Sequence, residues 1–513
     1  MLDCRPAEPD RRDMTTVGRE SHRRTSTWAQ SMTLSVLHIS DLHRDPGNPI
    51  RNDVLLDSLE NDRRHYSAEE ATRVRTPDLI IVSGDIIQGI KPDATDPEKA
   101  LHEQYGEALD FLARLTDRFV AGDRNRVVVV PGNHDVSAYH FEKSLRRVDI
   151  LPDRKKDFVT QLFSPSSPLR WCWSGFELYE IVDSALYAQR LAAFAEFYAA
   201  FYDGARTYEL DAAEQVDIFD FPAFDLTVVG FSSCYNNDLF NKQGAIHPAC
   251  IAGAGTKLSQ ASLKDRLRVA VWHHNAEGLP AHSDYMDPDL IQNLIDRGFS
   301  LGFHGHQHRP QFLDTRFRHG TDRKITVISA GTLCGGASFR HGRAYNIVEL
   351  DVGARTGRLH VREMQNDNLT LPIWGRRALP PATNDYYDFT YDPPPAPVVQ
   401  RNTNTSALIQ AQRLHQLADY GSAADILARV SAFDELARPL LLDCFVKLKD
   451  WPGLIATFDP PTSAAEAIHV MDALWEGGRR KRLAELLELP IVARSSDQSV
   501  IEIRNKYAAR LNR

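Results

Sequence analysis

Short apolar runs rich in β-branched residues alternate with longer amphipathic segments between Thr33 and about Arg376. The runs are TLSVLHIS, DLIIVSGD, RVVVVPGN, LTVVGFSS, LRVAVWHH, FSLGFHGH, ITVISAGT and AYNIVELDV. Near-continuous apolar runs of this length are typical of strands whose two faces are both covered, and the segments between them have the spacing of helices. The pattern predicts a layered α/β domain over residues 32–376.

Residues 136–224 interrupt this alternation. They contain none of the strand-like runs, and they include LYAQRLAAFAEFYAAFYDGA, whose apolar spacing is that of a helix. We therefore expect a helical insertion at this place in the domain. It could pack over the sheet, or it could form a cap that shapes a substrate site.

The two ends of the chain have different patterns. Residues 1–31 show no apolar periodicity and are predicted to be a disordered extension. Residues 377–405 are rich in proline, which predicts a stiff linker. Residues 406–513 are rich in Ala and Leu, and this segment is predicted to be a smaller, all-helical domain.

The helical segment carries turn signals at near-equal spacing, at Gly421, Asp450 and Gly478. Such spacing is typical of stacked helical hairpins of the tetratricopeptide type, but a plain helical bundle fits it equally well. Helical repeats commonly bind proteins, so a protein partner for this domain is an expectation by analogy alone.

Charge and composition narrow the classes of partner. The formal net charge of -9 and the pI near 6.1 argue against a general polyanion-binding surface, so nucleic acid is possible as a partner but is not indicated. No apolar stretch has the roughly 18 residues of a membrane span, and no secretory signal is recognisable, so we expect a cytoplasmic protein with no membrane partner. The six cysteines lack CxxC spacing, which predicts reduced thiols.

Five of the predicted strands end at a cluster of polar residues. The clusters are Asp41 with His43, Asp85 alone, Asn133 with His134, His273 with His274, and His306 with His308. Because the carboxyl ends of strands in α/β sheets gather loops from distant parts of the chain into one crevice, we expect these clusters to converge. Three glycines, Gly84, Gly132 and Gly305, precede them and permit sharp turns or close backbone approach.

Converging carboxylates and imidazoles predict metal ions. Burying such groups removes their hydration, so they need a compensating positive charge, which divalent cations supply. The mixed Asp, His and Asn set favours Mn, Fe or Zn over a thiolate-type site. The donors are too many for one ion, and a shared carboxylate such as Asp85 can bridge two. We therefore expect two divalent metal ions.

The motifs DLH, GD, GNHD, HH and GHQH occur in this order and resemble the signature of the calcineurin-like metallophosphoesterase superfamily, in its phosphodiesterase and nuclease-like branch. The resemblance implies a four-layer α-β-β-α sandwich with both metals at the strand ends. It also implies the ligands of each metal, which are Asp41, His43 and His308 for one, Asn133, His273 and His306 for the other, and Asp85 as the bridge. His274 is the alternative to His273 as the ligand. We favour His273, because it is the first residue after the apolar run.

The resemblance also implies a function. It predicts a metal-dependent hydrolase of phosphate esters in which a hydroxide that bridges the metals attacks phosphorus. A phosphodiester is the favoured substrate, with a phosphomonoesterase or a nuclease of the same superfamily as the alternative. A different class of function is a non-catalytic interaction scaffold built on a degenerate domain, but every matched position holds a residue able to coordinate a metal.

His134 matches the family's catalytic histidine, which faces the leaving group. The phosphoprotein-phosphatase branch orients this histidine with an Asp three residues after the bridging carboxylate, whereas this chain has Gln88 there. Asp135 or another residue would therefore have to orient it. His304 lies outside the family pattern and is expected to be a hydrogen-bonded supporting residue, and His38 is expected to be a core residue.

Overall fold

The computed structural model describes residues 33–91, 93–149, 158, 161–162, 167–278, 284–315, 323–336, 341–378, 384–393, 402–430, 437–495 and 497–511. The predicted N-terminal extension, residues 1–31, lies outside these ranges. The first domain of the described chain is built on strands, and the second is helical.

The strands are β1 (Thr33–Ile39), β2 (Leu79–Ser83), β3 (Val127–Val130), β4 (Leu145–Val148), β5 (Leu169–Cys172), β6 (Glu177–Ile181), β7 (Val216–Phe221), β8 (Leu226–Phe231), β9 (Leu267–Val271), β10 (Leu301–His304), β11 (Gln311–Thr315), β12 (Ile325–Ser329), β13 (Ala344–Asp351), β14 (Thr356–Met364), β15 (Trp374–Arg377) and β16 (Tyr387–Thr390).

The α-helices of the first domain are α1 (Asn52–Arg64), α2 (Pro97–Val120), α3 (Ala138–Lys143), α4 (Ser184–Ala188), α5 (Ala192–Phe201), α6 (Pro248–Leu258) and α7 (Pro288–Asp296). Those of the second domain are α8 (Asn402–Gln416), α9 (Tyr420–Val430), α10 (Ala437–Leu448), α11 (Trp451–Phe458), α12 (Ala464–Glu476), α13 (Arg480–Leu487), α14 (Pro490–Ala493) and α15 (Gln498–Leu511).

Two mixed sheets form the centre of the first domain. One has the strand order β15-β14-β13-β1-β2-β3, with β16 beside β14, and its strands β1, β2 and β3 are parallel. The other has the order β11-β12-β10-β9-β8-β7, in which the four inner strands are parallel and both edge strands are antiparallel to their neighbours. Parallel strands deliver the loops that follow them to one edge of each sheet.

The two sheets pack face to face between helical layers. Val269 and Val271 of β9 lie in the same core as the first sheet and α2, which contributes Phe111. Ala270 and Trp272, which point the other way, lie in a second cluster with residues of α6 and α7. The layers are therefore helices, sheet, sheet and helices, and the predicted four-layer α/β sandwich is confirmed.

The insertion at residues 136–224 contains strands as well as the predicted helices, which corrects the expectation that it lacks strands. Strands β4, β6 and β5 form a separate three-stranded sheet, and β7 joins the edge of the second central sheet. The predicted helix corresponds to α4 and α5, and α5 buries Phe194, Phe197 and Phe201 in the main core. These strands have four to six residues each, so their alternation is too short to be recognised in the sequence.

The predicted linker, residues 377–405, is partly structured. Strand β16 pairs with β14, so the first sheet continues beyond the expected domain boundary. Phe389 and Tyr391 are buried in its core. The linker prediction is therefore wrong for strand β16. The strand was missed because the prolines that follow it dominate the local composition.

The second domain has a hydrophobic core of its own. Asp450 is the N-cap of α11, and Gly478 has a φ of 69° just before α13, so both lie at turns between helices. Gly421 instead is the second residue of α9, which corrects the prediction of a turn there. Helices α8, α9 and α10 pack in order, as do α11, α12 and α13, which is compatible with stacked hairpins and with a bundle.

The five described cysteines, Cys172, Cys234, Cys250, Cys334 and Cys444, are free and buried. Among the described helices, none is both long enough and apolar enough to cross a membrane.

A buried ion pair joins the first sheet to helix α1. Arg362 of β14 is 1% exposed and donates from Nε to the carboxylate of Asp62 at 2.9 Å and from Nη1 to Glu70 at 2.9 Å. We predict that Arg362→Met lowers the free energy of unfolding by about 3–5 kcal/mol, because it leaves the Asp62 carboxylate buried without its partner. Urea denaturation would measure the change.

Arg358→Met is the matched control on the same strand. Arg358 pairs with Asp388 at 2.6 Å, but both side chains are more than a third exposed, so its removal should cost no more than about 1 kcal/mol. Equal losses of stability in the two variants would contradict the prediction.

Candidate metal centre

The polar clusters of the sequence lie just beyond the ends of five parallel strands. Three of the strands belong to the first central sheet and two to the second. The clusters are Asp41 and His43 after β1, Asp85 after β2, Asn133 and His134 after β3, His273 after β9, and His306 and His308 after β10. The candidate site therefore spans the adjoining edges of both sheets.

The backbone turns sharply at most of these positions. Asp41, His43, Asp85, His306 and His308 have φ values of 52°, 44°, 51°, 73° and 54°. Side chains other than glycine avoid this left-handed region, which costs each of them about 1–2 kcal/mol. Buried strands that support the loops can hold such strained residues in place. The unfavourable backbone conformation of these five residues directs their side chains into the same site.

The first group of metal-binding atoms is formed by Asp41, His43 and His308. Nε2 of His308 lies 3.2 Å from Oδ1 of Asp41 and 3.2 Å from Nε2 of His43. Nδ1 of His308 donates to the carbonyl of Gly336 at 3.2 Å, which leaves the lone pair on Nε2 for a metal. These three residues offer one ligand atom each within a span of 4.8 Å.

The second group is formed by Asn133, His273 and His306. Oδ1 of Asn133 lies 3.0 Å from Nε2 of His273 and 2.8 Å from Nδ1 of His306. The two ring nitrogens are 3.3 Å apart. Nδ1 of His273 donates to the carbonyl of Ser83 at 2.8 Å, so its Nε2 is the nitrogen available to a metal.

Asp85 lies between the two groups. Its Oδ1 is 3.2 Å from Nε2 of His273, and its Oδ2 is 3.9 Å from Nε2 of His43. The main-chain N–H of His134 donates to Oδ1 at 2.8 Å and helps to fix the carboxylate. Gly132 lies so close that a Cβ there would collide with the Asp85 side chain. The two oxygens of one carboxylate therefore face both groups of metal-binding residues.

The charges of the site fit divalent cations. Burial would raise the pKa of Asp41, but the contact with His308 and the charges of nearby histidines lower it to about 2. Burial lowers the pKa of His43 to about 4, which keeps that ring neutral and able to bind a metal. Oδ1 of Asp41 is buried and accepts no hydrogen bond of good geometry from the described residues. Burial would lower the pKa of His273 and of His308, but the adjacent carboxylates Asp85 and Asp41 raise these values to about 9 and about 8, so both rings must lose a proton to bind a metal. Two anionic carboxylates, an amide oxygen and deprotonated imidazole nitrogens are donors suited to Mn, Fe or Zn.

His134 is oriented by main-chain atoms. Its Nδ1 donates to the carbonyl of Gln88 at 2.6 Å, and its Nε2 lies 4.0 Å from Oδ2 of Asp85. The side chain is 35% exposed, so Nε2 is accessible to a ligand. Gln88 thus fills the role that the sequence left open, through its backbone and not through its side chain.

Asp135 does not orient His134. Its carboxylate accepts hydrogen bonds from the main-chain N–H of Gly132 at 2.8 Å and of Ile86 at 3.1 Å, and from the hydroxyl of Tyr105 at 3.0 Å. It therefore ties the loop after β3 to the loop after β2. The expectation that Asp135 could orient the histidine is corrected.

The structure places His273, not His274, against Asp85. Nδ1 of His274 lies 2.8 Å from Oγ of Ser233, and its Nε2 lies 3.2 Å from Nδ2 of Asn237, so both ring nitrogens have other partners. Burial holds the pKa of His274 well below its usual value. His274 supports the loop that follows β8.

The two remaining histidines lie beneath the site. Nδ1 of His304 is 3.0 Å from the carbonyl of Gly305, and its ring stacks on Trp272. Nε2 of His38 is 2.9 Å from the hydroxyl of Ser83, and the side chain is fully buried in the core. Both positions agree with the supporting and core roles expected for them.

Several contacts of the site have no counterpart in the sequence motifs. The carbonyls of Ser83, Gln88 and Gly336 each fix one imidazole. Every residue type carries a carbonyl, so no sequence signal could have identified them. Asp284, 3.8 Å from Nε2 of His306, was also missed, because it does not directly follow any of the described strands.

A substitution of Gly305 would test how closely the residues of the site are packed. A Cβ at this position would collide with Oγ of Ser40 and lie 2.5 Å from Oδ2 of Asp41. We predict that Gly305→Ala lowers the free energy of unfolding by about 1–3 kcal/mol and weakens metal binding about 10–100-fold, because Asp41 must move. Denaturation curves and the metal content after dialysis would measure both effects.

Gly253→Ala is the control. Gly253 lies within α6, and no atom lies within 4 Å of a Cβ placed there, so the variant should gain up to about 1 kcal/mol of stability and keep its metal content. Unchanged metal binding in Gly305→Ala would contradict the prediction.

Solved structures that resemble the chain share 10% sequence identity with it and a TM-score of 0.25. One is a conserved uncharacterised protein of Streptococcus pneumoniae, described as a predicted phosphoesterase, which covers 70% of this chain and 98% of its own. Vps29 of Chaetomium thermophilum covers 71% of this chain and 100% of its own. The match to a Vps29 variant of Entamoeba histolytica covers 70% of this chain and 100% of that protein.

No curated protein sequence matches the chain significantly. A family model does match, and its description is calcineurin-like phosphoesterase. The match covers residues 34–310, which is more than half of the chain and includes His134 and all the residues predicted to bind metal. The family predicted from the sequence motifs is confirmed, and the chain belongs to the calcineurin-like phosphoesterases.

Proposed function

We propose that this chain is a phosphodiesterase that uses two divalent cations, Mn, Fe or Zn. Family membership supports the broader class of phosphoric ester hydrolases. The proposal of two cations rests on Asp85, whose two carboxylate oxygens face His273 on one side and His43 on the other. A carboxylate in this position can serve both ions of a dinuclear site.

The proposed ligands of one cation are Asp41, His43 and His308, those of the other are Asn133, His273 and His306, and Asp85 is shared. Bound cations would offset the charge of a phosphate ester and lower the pKa of a water molecule beside it. Each proposed position holds a side chain able to coordinate a metal, which favours a catalytic role over that of a non-catalytic scaffold.

We propose His134 as the group that protonates the leaving alcohol. Its Nδ1–H is held by the Gln88 carbonyl, so Nε2 is the atom that would carry the proton to the departing oxygen. Nε2 also lies 4.0 Å from Asp85, the proposed shared ligand, which supports a role for His134 next to the cations. A fixed ring orientation reduces the reorganisation needed for proton transfer.

The preference for a diester is supported by the GHQH element, residues 305–308, which resembles the phosphodiesterase and nuclease-like branch of the superfamily.

The helical domain is proposed to bind a partner. Its helices, α8 to α15, have a separate core and contribute no residue to the candidate metal centre in the part of the chain that is described. A domain that adds no ligand to the metal centre is available for recruitment or positioning of the enzyme.

We predict metal-dependent hydrolysis of bis-p-nitrophenyl phosphate, with a higher kcat/KM than for p-nitrophenyl phosphate. Removal of metal with a chelator should abolish the activity, and Mn should restore it. Asp85→Asn should reduce kcat/KM by more than about 100-fold, because an amide cannot serve two cations as an anionic bridge. Release of p-nitrophenolate measures each rate.

Asp203→Asn is the matched control, since Asp203 is exposed and lies outside the metal centre. It should retain full activity. A chain that is correctly folded but inert toward both esters with Mn, Fe or Zn would contradict the proposed function and favour a scaffold.

We predict that His134→Gln lowers kcat by about 10²–10⁴ while metal content is retained. The loss should be larger for a diester with an alkyl leaving group than for one with p-nitrophenolate, because the poorer leaving group depends more on protonation. Steady-state kinetics on both esters would measure the difference. His102→Gln, at an exposed position of α2, is the control. Equal losses on both esters would contradict proton donation.

A further inference from the structure

A cavity of about 270 Å³ opens beside the candidate metal centre. Two of the proposed metal ligands, Asn133 and His306, form part of its wall. The other lining residues are Val136, Ala138, Phe141, Asn237, Asp238, Leu239, Lys242 and Asp284. A group bound in this cavity would therefore be next to a phosphate held at the metal centre.

One side of the cavity is apolar. Val136, Ala138 and Phe141 come from the start of the insertion and helix α3, and Leu239 faces the same space from the loop that follows β8. Phe141 is fully buried and packs edge to face against Phe240 at 5.2 Å. Walls of this kind suit an organic group and not a phosphate.

Buried charges fix the loop that forms another part of the wall. Nε of Arg170 donates to Asp238 at 2.7 Å, and the hydroxyl of Tyr187 donates to the same carboxylate at 2.9 Å. Arg190 stacks on Tyr187 at 3.6 Å and contacts the carbonyl of Asn237. These residues of the insertion fix the loop that carries Leu239, so the cavity is preformed.

Lys242 is the one Lys or Arg among the described residues that line the cavity. Arg170 neutralises Asp238, and the other lining carboxylate, Asp284, lies 3.8 Å from Nε2 of His306, next to the proposed metal ligands. Lys242 is exposed and makes no ion pair within the described ranges. Its ammonium group is therefore available to an anionic substituent on a bound molecule.

We infer that this cavity binds one esterified group of the substrate, a compact organic group of nucleoside size or smaller with an anionic substituent that reaches Lys242. The inference rests on the proposed phosphodiesterase function. The cavity lies below the roughly 300 Å³ at which drug-sized pockets begin, and Lys242 is the one cation among its described lining residues, whereas several cations hold a nucleic-acid backbone. These features favour a small phosphodiester over a polymer.

Leu239→Trp tests the size of the subsite. The probes are the p-nitrophenyl ester of thymidine 5′-monophosphate and p-nitrophenyl methyl phosphate, which share a leaving group and differ in the group to be held. We predict that the ratio of kcat/KM for the nucleoside ester to that for the methyl ester falls about tenfold, because the indole fills the cavity. Leu371→Trp, at a 63% exposed leucine outside the cavity, should not change the ratio.

Lys242→Met tests the charge. The third probe is the same nucleoside ester with an added 3′-phosphate. In the wild type its kcat/KM should exceed that of the unphosphorylated ester, and Lys242→Met should reduce this preference about threefold to tenfold. Lys257→Met, at an exposed lysine of α6, should leave the preference unchanged.

The outcomes separate the two proposals. A wild type that hydrolyses none of the three esters with Mn overturns the proposed function. A wild type that hydrolyses them, but whose ratios are unmoved by Leu239→Trp and Lys242→Met, overturns the subsite and leaves the proposed function intact.

Discussion

The candidate site depends on one buried carboxylate that two groups of imidazoles share. Asp85 is 2% exposed, and its burial would favour the neutral acid, yet the neighbouring His273 and His134 hold its pKa well below the usual value. An anion in such a place is stable only while its positive or polar neighbours remain close. Gly132 must lack a side chain, because a Cβ there would collide with this carboxylate.

The sandwich is the framework that meets this constraint. Asp85 follows a strand of the first sheet, and His273 and His306 follow strands of the second, so the site exists only when the two sheets are packed together. Fully buried strands such as β2, β3 and β9 provide the rigid base. Their packing energy outweighs the unfavourable backbone geometry of the five residues that turn into the site.

Different segments of the chain carry the metal-binding residues and the walls of the neighbouring cavity. The proposed ligands all lie at strand ends, whereas the cavity is walled mainly by the insertion and by the loop after β8. The buried pair of Arg170 with Asp238 joins these two elements. Changes in the insertion could therefore alter the group that is held beside the phosphate without moving a metal ligand.

The sequence by itself determined the α/β class, the family and the residues that converge, because apolar strands followed by polar clusters specify both a buried sheet and the edge where its loops meet. It could not determine the short strands β4 to β6, the strand β16 hidden beside prolines, or the orientation of His134. These depend on pairing and on main-chain contacts between distant segments, as with Gln88, whose carbonyl and not its side chain meets the imidazole. Only the tertiary structure decided them, because any residue can supply a backbone carbonyl and its position is fixed by the packing of the whole domain.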